Sequence, residues 1–506
     1  MRRYNLLKYL WVVLGLVGLL IIAYVLCQSP QPGVADQGDF DRVMNVSGLE
    51  LKPEQINDPG FVRFLDYPVT EYRISAVSAP NLLKRLSATS MAYLITLINS
   101  ICLLLGKDTF KTAYLAAAYV IMYSCAFYVI FKHLNVKNRL KLTLFVLIAF
   151  FVFLDGNYLV WFNSLYGEPM MITTLALYIA AWLYYIYHRH IVKSANTIFL
   201  TMVPIFAAAF LFLGSKLQVI SALPVIILML INLWRENRGL LKPRQVWLFG
   251  IFSLILVAYS LGYAYTNKQM SEYTRYNSLF YGILKDSPNP AQDLLDLGLS
   301  PDMAADAGKH AFLEEREYVR YVPLSDITRE EFYNKISNAD LVRFYITHPQ
   351  RLAAGMQYTA DHAFTTSTVL GKYQRADIEK PVSEFDRFTA WSSLREKYLP
   401  RSLWFLIFSY GLATGVSVLV YIKRRGVKEV ESGLRLFWAV MLIGLLQFPM
   451  PLVGNGQADT AKQLFLFNFT FDIVLVVLSC LTLSLLIDFC RSPKTALHRS
   501  VKGGAF

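Results

Sequence analysis

Residues 1–30 read MRRYNLLKYLWVVLGLVGLLIIAYVLCQSP, and this stretch decides the fold class of the chain. Two arginines precede an apolar run over 7–27, close to the ~20 residues that a helix needs to cross the hydrocarbon core of a bilayer. A cleaved signal peptide would have a shorter apolar region and an Ala-x-Ala-like site, so the segment predicts an uncleaved first transmembrane helix.

Similar apolar runs recur along the whole chain. Of its 506 residues, 55% are hydrophobic and 17% are charged, whereas soluble domains are about 45–50% apolar and about 25% charged. The predicted spans are 7–27, 112–131, 139–155, 168–187, 195–213, 217–234, 246–264, 402–422, 436–452 and 464–487. The sequence therefore predicts an all-α polytopic membrane protein with a bundle of about ten transmembrane helices.

One further apolar stretch, 90–105, determines the topology, because every later loop changes side if it crosses the membrane. Cytoplasmic loops carry an excess of Lys and Arg. If 90–105 does not cross, the following residues share a side with Arg2 and Arg3: Lys132, Lys137, Arg139, Lys141, Arg189, Lys193, Arg235, Arg238, Lys242, Arg244, Lys423, Arg424, Arg425, Lys428, Arg491, Lys494 and Arg499. We therefore expect an interfacial or re-entrant helix on the outer face and cytoplasmic N- and C-termini.

This topology divides the chain into three parts. They are an N-terminal transmembrane module (1–264) with a long first outer loop (28–111), a small, mostly helical extracellular cap (265–401) and C-terminal transmembrane helices (402–506). Within the cap, 310–321 and 338–359 look helical.

The formal net charge of +13 does not indicate a nucleic-acid partner. The basic residues cluster between apolar runs, as orientation signals do. No Walker motif, Rossmann glycine pattern, GxSxG or HExxH occurs, so we expect no nucleotide cofactor.

An acidic motif, ADQGDFDRVMNVSGLE, follows the first span at 35–50. Asp36, Asp39 and Asp41 fall within six positions, with Arg42 beside them. Clustered carboxylates just outside a membrane helix can bind a divalent cation or act as general bases. A solvated acidic turn is the alternative interpretation.

The second outer loop places Glu168 where the chain re-enters the membrane, within NSLYGEP at 163–169. A carboxylate at that depth is costly unless it faces a polar cavity or a partner. Asn163 and Tyr166 in the same loop would supply hydrogen bonds to a sugar or phosphate.

Lys216 is a lone cation in a tight outer turn, GSKLQVISALP at 214–224. It is either a lysine that snorkels to the interface or a counter-charge for a lipid phosphate. Lys462, which lies with Asp459 in the last outer loop, presents the same choice.

The order of these features resembles the GT-C superfamily of membrane glycosyltransferases, such as protein O-mannosyltransferases and the bacterial lipid A aminoarabinose transferase. GDFDRV resembles the first-loop motif of the aminoarabinose transferase, which reads like Asp-Glu-x-Arg. Phe40 stands here where that motif has Glu, so both Asp39 and Asp41 are candidates for the base. NSLYGEP resembles the second-loop carboxylate motif, with Glu168 at the matching place, and GSKLQVISALP resembles the outer Thr-Lys-Gly turn.

A closer resemblance extends over most of the chain. GDFDRVM, FNSLYGEP, NSLFYGILKDSPNPAQDLLDLGL and ADTAKQLFLFN look like S-layer or cell-envelope glycan hexosyltransferases of the WsfD type. This resemblance implies a bacterial plasma membrane, in a Gram-positive envelope.

The resemblance also implies an activity: transfer of a sugar from a polyprenyl-phosphate carrier to an envelope-glycan acceptor at the outer leaflet. It assigns catalysis to Asp39, Asp41 and Glu168. Substrate and phosphate binding would fall to Arg42, Lys216, Asn163, Tyr166, Asp459 and Lys462. Asp39, Asp41 and Glu168 are also candidate ligands for Mg²⁺ or Mn²⁺.

Two other classes of membrane protein stay open. A lipid-linked glycan flippase or transporter would show inverted repeats and helices broken at mid-bilayer, whereas the sequence has no internal repeat and its acidic residues lie in outer loops. A glycan polymerase or ligase would rely more on outer arginines than on a first-loop aspartate.

Overall fold

Each predicted span overlaps one long helix. The computed structural model describes residues 2–192 and 197–491. Outside its described parts lie residues 195–196 of one predicted span, Lys193, Lys494, Arg499 and the side chains of Arg2, Arg3 and Arg491. The long helices are Arg2–Leu26, Thr112–His133, Arg139–Phe153, Glu168–Ile186, Ile198–Leu213, Leu223–Asn237, Pro243–Thr266, Leu403–Lys423, Lys428–Gln447 and Phe465–Arg491.

By length and apolar composition, and over the described residues alone, fewer helices qualify as complete spans than the ten that the sequence predicts. Within residues 2–192 and 197–491, six helices are long and apolar enough to cross a membrane, or seven if the bent pair Arg139–Phe153 and Gly156–Asn163 is one span. Ile198–Leu213 has only 16 residues, and a helix rises 1.5 Å per residue, so it is shorter than a hydrocarbon core of about 30 Å. Lys428–Gln447 carries charged residues near its start. The protein is an all-α polytopic membrane protein embedded in a lipid bilayer.

The helix Glu168–Ile186 lies at the centre of the bundle. Its apolar side chains are buried on nearly all sides, and it packs against Thr112–His133 and Ile198–Leu213. A helix that is hydrophobic all round is expected in such a position, surrounded by other helices. The central helix therefore places its first residue, Glu168, in the middle of one end of the bundle.

The loops gather at two opposite ends of the bundle. The end that carries the first loop (28–111) and the predicted cap (265–401) is called the cap end. At the other end, Lys141 Nζ lies 2.7 Å from Asp488 Oδ1 and Arg189 Nε donates to Asn237 Oδ1 at 3.0 Å. These contacts connect helix ends at the side of the bundle that the distribution of positive charges predicts to be cytoplasmic.

The helix Ser90–Leu104 has both of its ends at the cap end. At its start, the N–H of Ser90 donates to the carbonyl of Gly214 at 2.8 Å. Shortly after its last turn, the carbonyl of Asp108 accepts from the N–H of Ile74 in the first loop at 2.7 Å. These contacts agree with the expectation of an interfacial helix that does not cross the membrane.

A small antiparallel sheet braces the first loop, which the prediction of an entirely helical chain did not include. Strands β1 (Leu49–Glu50), β2 (Glu71–Ile74) and β3 (Thr109–Lys111) pair in the order β1-β2-β3. Tyr72 and Phe110 are opposite each other on the last two strands, and both are buried. The sheet therefore connects the chain before and after the interfacial helix.

Residues 268–361 form short helices with a hydrophobic core of their own. The main helices are Lys268–Ser278, Pro290–Asp296, Asn338–Thr347 and Pro349–Asp361. Tyr276, Phe280, Leu294, Phe332 and Phe344 belong to this core.

The helix predicted over 310–321 is wrong. Only Glu315–Glu317 forms a 3-10 turn there. The carboxylate of Asp306 accepts the backbone N–H groups of Val319, Arg320 and Tyr321 at 2.7, 3.0 and 2.8 Å, so these donors cannot serve a helix. The helix predicted over 338–359 is interrupted before Pro349, since proline disfavours helical geometry in the residue that precedes it.

The segment 364–389 lies against the chain that leaves the first helix. The N–H groups of Gly33 and Ala35 donate to the carbonyls of Lys372 and Gly371 at 2.8 and 3.0 Å. Arg387 donates to the carbonyl of Gln28 at 2.9 Å. The backbone between the first helix and the acidic motif is therefore hydrogen-bonded to two parts of the segment 364–389.

A buried ion pair ties the same outer segment to the last helix. Arg395 Nη1 lies 2.6 Å from Asp472 Oδ2, and both side chains are completely buried. Tyr158 and Trp391 also donate to that carboxylate oxygen, at 2.7 and 2.9 Å. This network connects the second outer loop, the helix Ala390–Tyr398 and the helix Phe465–Arg491.

Candidate functional site

Asp36 is buried and shapes the backbone of the acidic motif, so its carboxylate is not one of the exposed groups of the motif. Its Oδ1 accepts the backbone N–H groups of Gly38, Asp39 and Phe40 at 2.7, 2.9 and 3.2 Å, which builds the turn before the helix Phe40–Ser47. Gly38 has a φ of 99°, in the left-handed region that favours glycine. Burial raises the pKa of Asp36 above its usual range. The turn determines where the next aspartate points.

Asp39 points toward two cations. Its Oδ2 lies 2.7 Å from Lys462 Nζ, and its Oδ1 is paired with Arg42. The side chain is 31% exposed. Burial alone would raise the pKa of Asp39, but the charges of Lys462 and Arg42 outweigh it and hold the pKa well below the usual range of a carboxyl. Asp39 is therefore ionised at every physiological pH.

Asp41 points elsewhere, although only one residue separates it from Asp39. It is 54% exposed and is paired with Arg63, which also lies 3.7 Å from Asp36. Because Asp39 immediately precedes the helix Phe40–Ser47 and Asp41 lies in its first turn, the two carboxylates leave the backbone in different directions.

Glu168 is completely buried at the start of the central helix. Its Oε1 lies 2.6 Å from Lys216 Nζ, while its Oε2 has no hydrogen-bond partner among the described residues. Gly167 allows this approach, because a Cβ there would lie only 2.9 Å from the carbonyl oxygen of Ser215. Burying a charge is costly unless it is paired, so the lysine stabilises this carboxylate.

Lys462 is the most enclosed cation of the site. It lies on the short helix Thr460–Gln463, which follows Asp459 in a left-handed conformation with φ of 54°. Its Nζ lies 4.8 Å from the centre of the Tyr166 ring and 3.8 Å from Asp459. Burial alone would lower the pKa of Lys462, but the charge of Asp39 outweighs it and raises that pKa above its usual range. Lys462 therefore carries its positive charge.

Tyr166 ties the second loop to the first loop, whereas Asn163 has an oxygen without a partner among the described residues. The hydroxyl of Tyr166 donates to the carbonyl of Ala35 at 2.9 Å, and its ring meets that of Phe40 edge-to-face. Tyr166 thus contributes its ring to the site, since its hydroxyl is engaged. The Oδ1 of Asn163 is buried and accepts no hydrogen bond within the described part of the chain.

The folded chain brings most of the predicted site residues together at the cap end. Glu168 acts electrostatically on Lys462, and Lys216 acts on Asp39, so the two ion pairs are neighbours. The charged patch is the set of Asp39, Arg42, Glu168, Lys216, Asp459 and Lys462. It comes from four loops that are far apart in the sequence.

Two residues of this region were missing from the sequence-based candidates. Gln37 donates to Asp459 at 2.7 Å and accepts from Lys462 at 3.2 Å, so it joins the first and last outer loops. Arg63 holds Asp36 and Asp41. Gln37 lies within the acidic motif, which was a signal for its role, whereas no motif surrounds Arg63.

The three predicted metal ligands do not form one ligand set. Asp39, Asp41 and Glu168 are paired with different cations, as described above. Among residues 2–192 and 197–491, no three side chains of His, Cys, Asp or Glu are grouped so that they could hold a metal ion. The groups that stabilise the charges of these carboxylates are therefore lysine and arginine side chains.

The comparison with protein families identifies the kind of chain that carries this patch. Residues 2–495 match the family described as YfdI N-terminal transmembrane domain. The chain belongs to this family. The YfdI family is a membrane glycosyltransferase-like family, so the charged patch lies in a chain of that kind. No curated protein matches the chain, and no solved structure matches it.

Proposed function

We propose that the chain is a GT-C-type, WsfD-like hexosyltransferase. It moves a sugar from a polyprenyl-phosphate carrier to a hydroxyl of a cell-envelope glycan. The reaction takes place at the outer face of a bacterial, Gram-positive plasma membrane, with both termini of the chain in the cytoplasm. One observation carries the proposal: the charged patch at the cap end holds two carboxylates, Asp39 and Glu168, each in contact with a lysine.

The reaction needs a base for the acceptor. The acceptor oxygen forms a bond to the anomeric carbon, and the bond from that carbon to the phosphate oxygen breaks. Its electron pair leaves with the polyprenyl phosphate, and the acceptor proton passes to a carboxylate of the enzyme. Asp39 fits this role better than Asp41, because Asp39 lies among the cations of the patch.

The leaving phosphate needs positive charge at the place where its negative charge develops. Lys462, Arg42 and Lys216 supply it, and positioned groups of this kind typically contribute about 3–4 kcal/mol each. In the resting site, Lys462 and Arg42 hold Asp39 as a weak base. A bound phosphate competes for these cations, which raises the pKa of Asp39 and prepares it to accept a proton.

Glu168 positions one of these cations from its place at the start of the central helix. Because it is buried and paired with Lys216, it holds that lysine at the mouth of the bundle, where a lipid phosphate would arrive. The apolar flanks of the helices suit the polyprenyl tail, which stays in the bilayer.

The test compares two aspartates of the same motif in purified proteoliposomes. We expect Asp39→Asn to abolish transfer of radiolabelled hexose from polyprenyl phosphate to an envelope-glycan extract, with the fold retained. Asp41→Asn is the matched control and should keep most of the activity, because its carboxylate faces Arg63. Equal activity of wild type and Asp39→Asn would reject the proposal, and a lipid-flipping assay would then examine the transporter alternative.

A further inference from the structure

A cleft between the helical cap and the last outer loop lies beside the charged patch. It has a volume of about 100 Å³, and residues that line it include Gly282, Asp286, Tyr345, Arg351, Tyr358 and Gln457. None of these residues belongs to the patch, and the catalytic steps above do not use them.

One short piece of chain connects the wall of the cleft to the patch. Gln457 forms part of its wall, and the hydroxyl of Thr460 contacts both the carbonyl of Gln457, at 3.1 Å, and the hydroxyl of Tyr358, at 3.2 Å. Thr460 begins the helix Thr460–Gln463, which carries Lys462. Gln457 in the wall of the cleft is therefore two positions from Asp459 and five positions from Lys462 along the chain.

The charged side chains that line the cleft already have hydrogen-bonding partners. Arg351 Nη2 lies 2.6 Å from Asp293 and donates to the carbonyl of Ile283 at 2.7 Å. The carboxylate of Asp286 accepts from Gln457. No unpaired cation is left among the described residues of the wall, so the cleft is poorly suited to a phosphate. Tyrosine rings beside carboxylate and amide oxygens suit a neutral ligand that carries many hydroxyl groups.

The walls of the cleft are closely packed, so its shape exists before a ligand arrives. A Cβ on Gly282 would lie 3.1 Å from the Cα of Gly456, and a Cβ on Gly355 would collide with Leu452. Gly456 has a φ of 56°, which favours glycine. These glycines let the cap and the last outer loop approach each other at the back of the cleft.

We propose that this cleft binds a neutral hexose unit of the acceptor glycan and delivers its hydroxyl to Asp39. The inference rests on the proposed glycosyl transfer and adds the position and the chemistry of the acceptor subsite. In this arrangement the carrier phosphate meets the cations of the patch, while the acceptor enters from the side of the cap.

Two neighbouring alanines provide the test. Ala354 lines the cleft, Ala353 does not, and both are exposed on the helix Pro349–Asp361. We expect Ala354→Trp to fill the cleft and raise the KM for the acceptor about tenfold or more, as for a change that removes ground-state binding. Hydrolysis of the polyprenyl-phosphate hexose without acceptor should not change. Ala353→Trp should resemble wild type in both assays.

The outcomes separate this inference from the proposed function. If wild type transfers hexose and the two tryptophan variants have equal acceptor KM values, the cleft is not the acceptor subsite, although the enzyme is a transferase. If wild type neither transfers nor hydrolyses, the proposed function fails. Saturation-transfer NMR with methyl hexosides then decides about the cleft: binding lost only in Ala354→Trp supports a hexose site, and binding equal in all three proteins, or in none, rejects it.

Discussion

Replacing Lys462 by methionine should affect both the rate and the pH dependence of transfer. The lysine ammonium is buried, lies 2.7 Å from Asp39 and contacts the ring of Tyr166. Methionine has a similar length and no charge. The substitution therefore removes a cation from the leaving phosphate and leaves Asp39 with Arg42 as its remaining ion-pair partner.

Two magnitudes follow from this geometry. Removing one positioned group that stabilises developing charge typically lowers kcat about 10²–10³-fold. The free energy of unfolding should fall by about 1–3 kcal/mol, less than the 3–5 kcal/mol of a fully buried pair, because Asp39 is 31% exposed. The variant should therefore stay folded while its activity falls.

The pH dependence has a definite sign. In wild type the pKa of Asp39 lies below its usual range, so the carboxylate stays charged and kcat/KM has no acid limb from this group near neutral pH. Without Lys462, burial is opposed mainly by Arg42, so the pKa of Asp39 rises. The acid limb of kcat/KM should then move to higher pH.

The assay is hexose transfer in proteoliposomes at several pH values, with thermal unfolding measured on the same samples. Lys111→Met is the matched control, because Lys111 also pairs with a carboxylate at the cap end, 2.6 Å from Glu71, but lies outside the patch. The reasoning is refuted if Lys462→Met keeps the rate of Lys111→Met and shows the same acid limb.

Three further predictions concern the buried network, a buried lysine and the metal question. Arg395→Met should lower the free energy of unfolding by about 3–5 kcal/mol, because it leaves Asp472 charged and buried without its cation. Burial lowers the pKa of Lys372 to about 7, while a lysine in the unfolded chain titrates near pH 10.4. The unfolded state therefore binds more protons between these values, so stability should fall as the pH decreases from about 10 to about 7. Transfer should be unchanged by EDTA, because Asp39 and Glu168 already have lysine partners.

Each of these predictions has its own control. Arg320→Met breaks an exposed pair with Glu331 and should cost no more than about 1 kcal/mol, and an equal loss in Arg395→Met would contradict the first prediction. Lys372→Met should flatten the stability profile between pH 7 and 10, and an unchanged slope would contradict the second. Loss of transfer in EDTA, restored by Mg²⁺ or Mn²⁺, would contradict the third.

The membrane-spanning helices of this chain could be predicted from the sequence alone. Whether a segment favours lipid depends on the composition of about 20 adjacent residues, which is a local property. The positive charges between the spans then predicted that 90–105 does not cross, and the contacts of Ser90–Leu104 agree with that prediction. The same local chemistry singled out Asp39, Glu168, Lys216 and Lys462 as charged groups beside apolar runs.

Local patterns were less successful in the polar segments. The stretch 310–321 looked helical, but the carboxylate of Asp306 takes the backbone N–H groups that such a helix would need. The strands of the first loop are at most four residues long. An alternating pattern this short carries little information, so the sheet is decided by pairing between distant segments.

Only the tertiary structure decided which charge meets which. Lys462 and Asp39 are separated by 423 positions, and Lys216 and Glu168 by 48, so no local spacing relates them. Asp39 and Asp41 are both candidates for the base in the sequence motif, yet the turn around Asp36 directs Asp39 to Lys462, while Asp41 meets Arg63. Ion pairs of this kind depend on how the helices pack and where the loops meet. The sequence therefore determined the spans and the candidate groups, and the packing of the bundle determined their partners.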